Sequence, residues 1–147
     1  MSTTSNTRPP SAGSRIDTAD SHSAHFATRW LQPDTAVITA HGEIDAANAQ
    51  ELVEYALRHA AHISRLVLDL SGVEFFGTAG FSALHNLKVR CAGETIKWCS
   101  VPSTAVSRLL TLCDPDSTLP IHDGIAEALS AVQGEPPRLL QLVAQPR

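Results

Sequence analysis

The chain has 147 residues, of which 43% are hydrophobic and 18% charged, with a net charge of −4. That length and balance suit one globular domain with tails. Lys and Arg form no block anywhere in the sequence, which argues against a nucleic-acid partner, because displacing phosphate counterions needs clustered cations. No apolar run approaches the ~18–20 residues needed to span a bilayer, and the first twenty residues lack the basic and apolar regions of a secretory signal. The expected location is therefore cytoplasmic, with no membrane partner. Cys91, Cys99 and Cys113 are an odd set without a CxxC pair, unlike a secreted disulfide framework or a zinc site. They read either as buried or half-buried thiols or as a redox-sensitive pair, a choice that only geometry decides.

Residues 1–22 are rich in Ser, Thr, Pro and Gly and poor in apolar side chains. Such a segment buries too little surface to offset its ordering entropy and reads as a disordered tail. Thr3, Thr4 and Ser5 are the hydroxyls it would offer a kinase. Order is expected near Ala24, where Phe26, Thr28 and Trp30 alternate in the period of a half-buried strand. Gln32-Pro33-Asp34 is a turn signal and Thr35 to His41 a β-branched strand, so the two strands should pair as a hairpin. Gly42-Glu43-Ile44-Asp45 breaks the second strand, with Asp45 in position to cap a helix. Ala49, Leu52, Val53, Ala56, Leu57 and Ala60 then form one helical face.

Leu66 to Leu70 is short and almost wholly apolar, as a strand covered on both faces would be. A loop over Ser71 to Gly77 leads to a helix from about Ala79 to Cys91 that offers Ala83, Leu84, Leu87 and Cys91 to the core. Thr95 to Ser100 reads as a fourth strand, Pro102 to Cys113 as a third helix, Leu119 to His122 as a short fifth strand and Ile125 to Val132 as a last helix. Strand–helix alternation after a leading hairpin predicts an α/β fold with a mixed sheet. The domain is bounded at 23–133, and 134–147 is a Pro-containing extension whose Leu139, Leu140, Leu142 and Val143 dock either on the domain or on a partner.

Signals of catalysis are sparse. Neither GxGxxG, P-loop nor GxSxG occurs. His59 and His62 lie three apart but have no Cys or carboxylate close by, so they read as surface histidines rather than metal ligands. Glu43 and Asp45 are near enough to act as an acid–base pair, yet capping is a sufficient role for Asp45. A non-enzymatic protein without metal or cofactor is expected.

The informative stretch is Leu66 to Leu87, LVLDLSGVEFFGTAGFSALHNL. It places Thr78 where an N-cap belongs, between Gly77 and Gly80, and spacing alone fits an ordinary capped strand-to-helix connection. Asp69-Leu70-Ser71-Gly72-Val73-Glu74-Phe75 followed by Gly77-Thr78-Ala79-Gly80-Phe81-Ser82 resembles the signature of STAS domains, the anti-sigma-factor antagonist family: D-L-S/T-x-V-x-F, then D-S-S/T-G-L-G. Ala40 to Asp45 resembles that family's L-x-G-E-L/I-D turn.

The resemblance implies a STAS-type mixed sheet of four to five strands with about four helices packed mainly on it. It also implies an anti-sigma-factor antagonist that binds an anti-sigma factor with a GHKL-type Ser/Thr kinase fold, releases a sigma factor, and is reset by a phosphatase. Thr78 aligns with the phosphoacceptor, and Glu43, Asp45, Gly77, Ala79, Gly80 and Phe81 with the partner-binding face. Phe81 is either a core filler or an exposed anchor. The sequence departs from the family in having Gly77 for the usual Asp and Ala79 for the second Ser, which removes a carboxylate and a hydroxyl from the loop. Two other STAS roles remain open: a soluble accessory subunit of an ABC-type transport system, and a scaffold or ligand sensor in a signalling complex.

Overall fold

The computed structural model describes residues 16–21, 23–32 and 34–133. They form one mixed sheet of five strands in sequential spatial order: β1 (Ile16–Ser21), β2 (Ala24–Gln32), β3 (Thr35–Ile44), β4 (Arg65–Phe76) and β5 (Lys97–Val101). β1, β2 and β3 pair antiparallel, as the hairpin reading requires, while β3–β4 and β4–β5 pair parallel. The helices are α1 (Ala49–Leu57), α2 (Thr78–Glu94), α3 (Thr104–Cys113) and α4 (Ile125–Gln133). The α/β architecture expected from the alternation is the one observed.

Chain direction explains the layering. The sheet grows one way through β3, β4 and β5, so two right-handed crossovers put α1 and α2 on the same face. Leu66, Leu68 and Leu70 of β4 meet Leu52, Val53 and Ala56 of α1, Leu84 and Leu87 of α2, and Val106 and Leu110 of α3 in the main core. The intervening Val67 faces the other way, with Val37, Cys99, Val101 and the α4 residues Ala128 and Val132. Leu66, Val67 and Leu68 are fully buried, and each side chain of this kind contributes about 1.5–3 kcal/mol relative to exposure.

Several boundaries differ from expectation. Ile16 to Ser21 is a strand, not part of a disordered tail: it pairs along its length with β2. Its backbone is pinned by Tyr55 of α1, whose hydroxyl donates to the Asp17 carbonyl at 3.0 Å and accepts from the buried Thr28 hydroxyl at 2.8 Å. The Arg58 guanidinium lies 4.5 Å over the Tyr55 ring and 3.7 Å from the Asp17 carboxylate. Burial pushes the Tyr55 phenol above its usual range, against the Thr28 bond and Arg58. Residues 1–15 and the extension 134–147, with the readings made on them, lie outside the described residues.

The supposed loop Ser71–Gly77 is mostly strand, since β4 runs on to Phe76 with Val73 and Phe76 buried. α1 ends at Leu57, and Ala60 belongs to a separate 3-10 turn, Ala60–His62. Thr95 is not in β5; it takes a left-handed conformation (φ 61°) that ends α2. Ser103 caps α3, its hydroxyl accepting from the Val106 amide at 3.1 Å, so that helix starts at Thr104 rather than Pro102. The short strand expected at Leu119 to His122 is a single parallel bridge between Ser100 and Ile121.

All three thiols are free. Cys91 belongs to the main core and Cys99 to the core on the opposite face, so the sheet separates them. Burial pushes the Cys91 thiol up to about 12 and the Cys99 thiol up to about 11. Both are therefore protonated and unreactive near neutral pH. Among the described residues no group of three His, Cys, Asp or Glu could hold a metal, and no helix is long and apolar enough to cross a membrane.

Candidate partner-binding site

The end of β3, the turn after it and the start of α2 are tied into one surface. Parallel pairing brings Glu43 opposite Phe75 and Ile44 opposite Phe76. The Gly77 amide then donates to the Ile44 carbonyl at 3.0 Å, and the Gly77 carbonyl accepts from the Gly80 amide at 2.8 Å. These bonds fix the backbone on both sides of Thr78, which is exposed.

Thr78 is not the N-cap expected of it. Gly77 occupies that position in an extended conformation, and Thr78 is the first residue of α2. No side chain caps the helix and its first turn carries no acidic residue, so with the Gly77 and Gly80 amides already bonded it is the Thr78 and Ala79 amides that are open. An added anion at such a terminus gains from the helix dipole.

Asp45 is likewise not the cap of α1, since Asn48 precedes the first helical residue. Asp45 instead closes the turn. Its carboxylate accepts from the Ala47 amide at 2.9 Å, and its own amide donates to Asn48 Oδ1 at 3.0 Å. Asn48 Nδ2 donates to the Glu43 carbonyl at 2.9 Å, so this fully buried amide holds both acidic residues in place. Glu43 stays exposed and Asp45 half-exposed. Gly42, at φ +99°, is required where the chain enters the turn: a Cβ there would lie 2.3 Å from the Ser23 carbonyl oxygen.

The two glycines around Thr78 serve different ends. Gly80 is buried against Phe76, whose ring atoms would be 2.5–2.8 Å from a Cβ, so it allows the first turn of α2 to rest on that ring rather than opening the loop. A Cβ on Gly77 would come 3.3 Å from the Phe75 ring, which occupies the space a side chain at 77 would enter. Ala79 and Phe81 are partly buried against the core, and the Phe81 ring centroid lies 6.4 Å from that of His85. Phe81 is thus core filler with an accessible edge.

The sequence reading missed Phe75 and Leu112. Phe75 is 51% exposed and Leu112 of α3 77% exposed, and with Leu109 and Ala105 they line a groove of about 270 Å³, edged by Glu74 and Arg108. The Phe75-Phe76 pair was the available signal: in a strand adjacent residues face opposite ways, so one of two consecutive Phe had to point outward. A large exposed apolar pair beside polar residues has the composition of an interface centre with its rim.

The STAS domain family model matches residues 31–128. The chain belongs to the STAS-domain family. Among curated relatives of this STAS domain, osmosensory protein A of Mycobacterium tuberculosis is 35% identical over 118 residues, covering 78% of this chain and 75% of that protein. The anti-sigma-F factor antagonist RsfA of the same species is 36% identical over 104 residues, covering 67% of this chain and 80% of that one. The crystal structure of an anti-sigma factor antagonist from Mycobacterium paratuberculosis superposes with a TM-score of 0.63 at 28% identity, over 80% of this chain and 94% of that chain. The anti-sigma factor antagonist SpoIIAA in its unphosphorylated form shares the fold at 14% identity, with a TM-score of 0.62 over 76% of this chain and 98% of that chain.

Proposed function

We propose that this STAS domain is an anti-sigma-factor antagonist acting by binding. It docks on an anti-sigma factor with a GHKL-type Ser/Thr kinase fold through Glu43, Asp45 and the Gly77–Phe81 start of α2, so releasing a sigma factor. Phosphorylation of Thr78 ends the complex and a phosphatase restores it. Family membership and the antagonists among its relatives support the role. The observation that carries the mechanism is an exposed Thr78 hydroxyl at the open N-terminus of α2, on backbone locked to Ile44.

A phosphate brings about −1.5 to −2 charges at neutral pH. At the start of α2 that charge meets free amides and the positive dipole end, a gain of about 0.3–1 kcal/mol, so the modified domain stays folded. The effect falls on docking. A dianion beside Phe75 and Phe81 has to be desolvated when a partner covers them, and left unpaired it costs several kcal/mol (roughly 3–5). To test this, the purified protein is mixed with candidate anti-sigma kinases and ATP, and intact mass and complex formation are followed. One added phosphate that disappears in Thr78→Ala, with loss of the complex on modification, is expected. Complex formation unchanged by full phosphorylation of Thr78 would refute the switch.

A further inference from the structure

The free edge of β5 lies in a groove at the other end of α2 from Thr78. Lys88 and Ala92 of α2 form one wall, Ala131 and Val132 of α4 the other, and Ile96 to Cys99 the floor, enclosing about 380 Å³. The chain already uses this edge once. The Ser100 amide donates to the Pro120 carbonyl at 2.9 Å, and the His122 amide donates to the Ser100 carbonyl at 2.9 Å. Backbone groups alternate sides along a strand, so Trp98, two residues earlier, turns its N–H and C=O the same way. Among the described residues no backbone group meets them. The groove is thus an unpaired strand edge between two helices, stopped at one end by Pro120 and His122.

Its charge is one-sided. Lys88 and Lys97 are the only lysines in the sequence, and both line this groove. No Asp or Glu lines it, in a chain whose net charge is −4. Neither lysine forms an ion pair among the described residues. We propose that this groove receives an extended, acidic peptide segment of a partner protein, which adds to β5 as a further strand. Its backbone pairs with Trp98; on the α2 face of the added strand a carboxylate meets Lys88 beside Ile96, and on the α4 face another meets Lys97 beside Val132. Added strands take affinity from main-chain bonds and selectivity from side chains. A second copy of the same edge would set Lys97 against like charge. Residues 134–147 carry one Glu against two Arg, a poorer match than an acidic strand.

The probe is the synthetic hexapeptide Glu-Glu-Val-Val-Glu-Glu, which presents both residue types on each face of an added strand, titrated into the isotope-labelled full chain while amide resonances and hydrogen exchange are recorded. Shifts confined to Lys88, Ala92, Ile96 to Cys99, Ala131 and Val132 are expected, with new protection of the Trp98 amide. Lys88→Glu with Lys97→Glu, at a half-buried and an exposed position respectively, should weaken this peptide by about tenfold or more and favour its lysine counterpart. The same peptide N-methylated at alternate residues, unable to pair, should not bind. Equal binding of the methylated peptide or indifference to the charge reversal would overturn the proposal. So would the absence of shifts at millimolar peptide. A Trp98 amide already protected in the free chain also overturns it: loss of that protection on deleting 134–147 assigns the groove to the chain's own segment, and loss on dilution to a second copy.

Discussion

Gly80→Ala tests the packing that fixes the start of α2, and with it Thr78. Two opposing effects are set against each other. Alanine at a helical glycine normally stabilises by about 1 kcal/mol. Here the new methyl would lie 2.5 Å from Phe76 Cε1, 2.6 Å from Cζ and 2.8 Å from Cδ1. Phe76 is only 4% exposed, so its ring cannot swing into solvent. Overpacking of this kind costs about 1–3 kcal/mol, which outweighs the propensity gain and leaves a net loss of about 1 kcal/mol. With a urea dependence of about 1–3 kcal/mol/M, the denaturation midpoint should fall by about 0.3–1 M. In a Phe76→Leu background the clash is relieved, and Gly80→Ala should become neutral or stabilising by up to about 1 kcal/mol, a non-additivity that identifies the contact. A stabilising Gly80→Ala in the otherwise unchanged chain would refute the reasoning.

Tyr55→Phe removes the donor to the Asp17 carbonyl and the acceptor for the buried Thr28 hydroxyl. A loss of about 1–3 kcal/mol is expected, and hydrogen exchange should show β1 released before the rest of the sheet. Asp114 is buried, which works to raise its pKa. Hydrogen bonds from the Thr118 hydroxyl, the Thr118 amide and the Leu119 amide, with the field of Lys88, prevail and hold it below the usual 3.8. A depressed carboxylate stabilises the fold above its unfolded value and that contribution is lost as pH falls through the folded value. Stability should therefore drop below about pH 4, and Asp114→Asn should lower stability at pH 7 while flattening this acid limb in denaturant titrations. A thiol reagent at pH 8 should label Cys113 alone in the native protein, because Cys91 and Cys99 are buried and held protonated, and all three thiols after denaturation.

Legibility in the sequence followed side-chain chemistry. The apolar run at Leu66 to Leu70 and the spaced residues Ala83, Leu84, Leu87 and Cys91 are where they were expected, because their burial is written in hydrophobic period. β1 was not legible: Asp17, Thr18, Asp20 and Ser21 carry no apolar alternation, and the strand is specified by backbone pairing and by the distant Tyr55. The extension of β4 through Ser71 and Gly72 was hidden for a similar reason, since its partner is the irregular end of β3. At the candidate site the structure brings together residues that lie far apart in the sequence. Glu43, Asp45 and Thr78 share a region because Gly77 bonds to Ile44. Their local roles were misread: Asp45 and Thr78 have the chemistry of N-caps, yet Asn48 and Gly77 take those positions. Propensity ranks the candidates, and the hydrogen bonds between β3, the turn and α2 make the choice.

The central claim concerns what a charge at Thr78 does to docking. It is tested most directly by calorimetry with an anti-sigma factor that the unmodified protein binds, comparing wild type, Thr78→Ala and Thr78→Glu. Thr78→Ala should bind within about twofold of wild type, and Thr78→Glu at least about tenfold more weakly, about 1.4 kcal/mol, with both variants equally folded. Thr78→Glu binding as tightly as wild type would contradict the account.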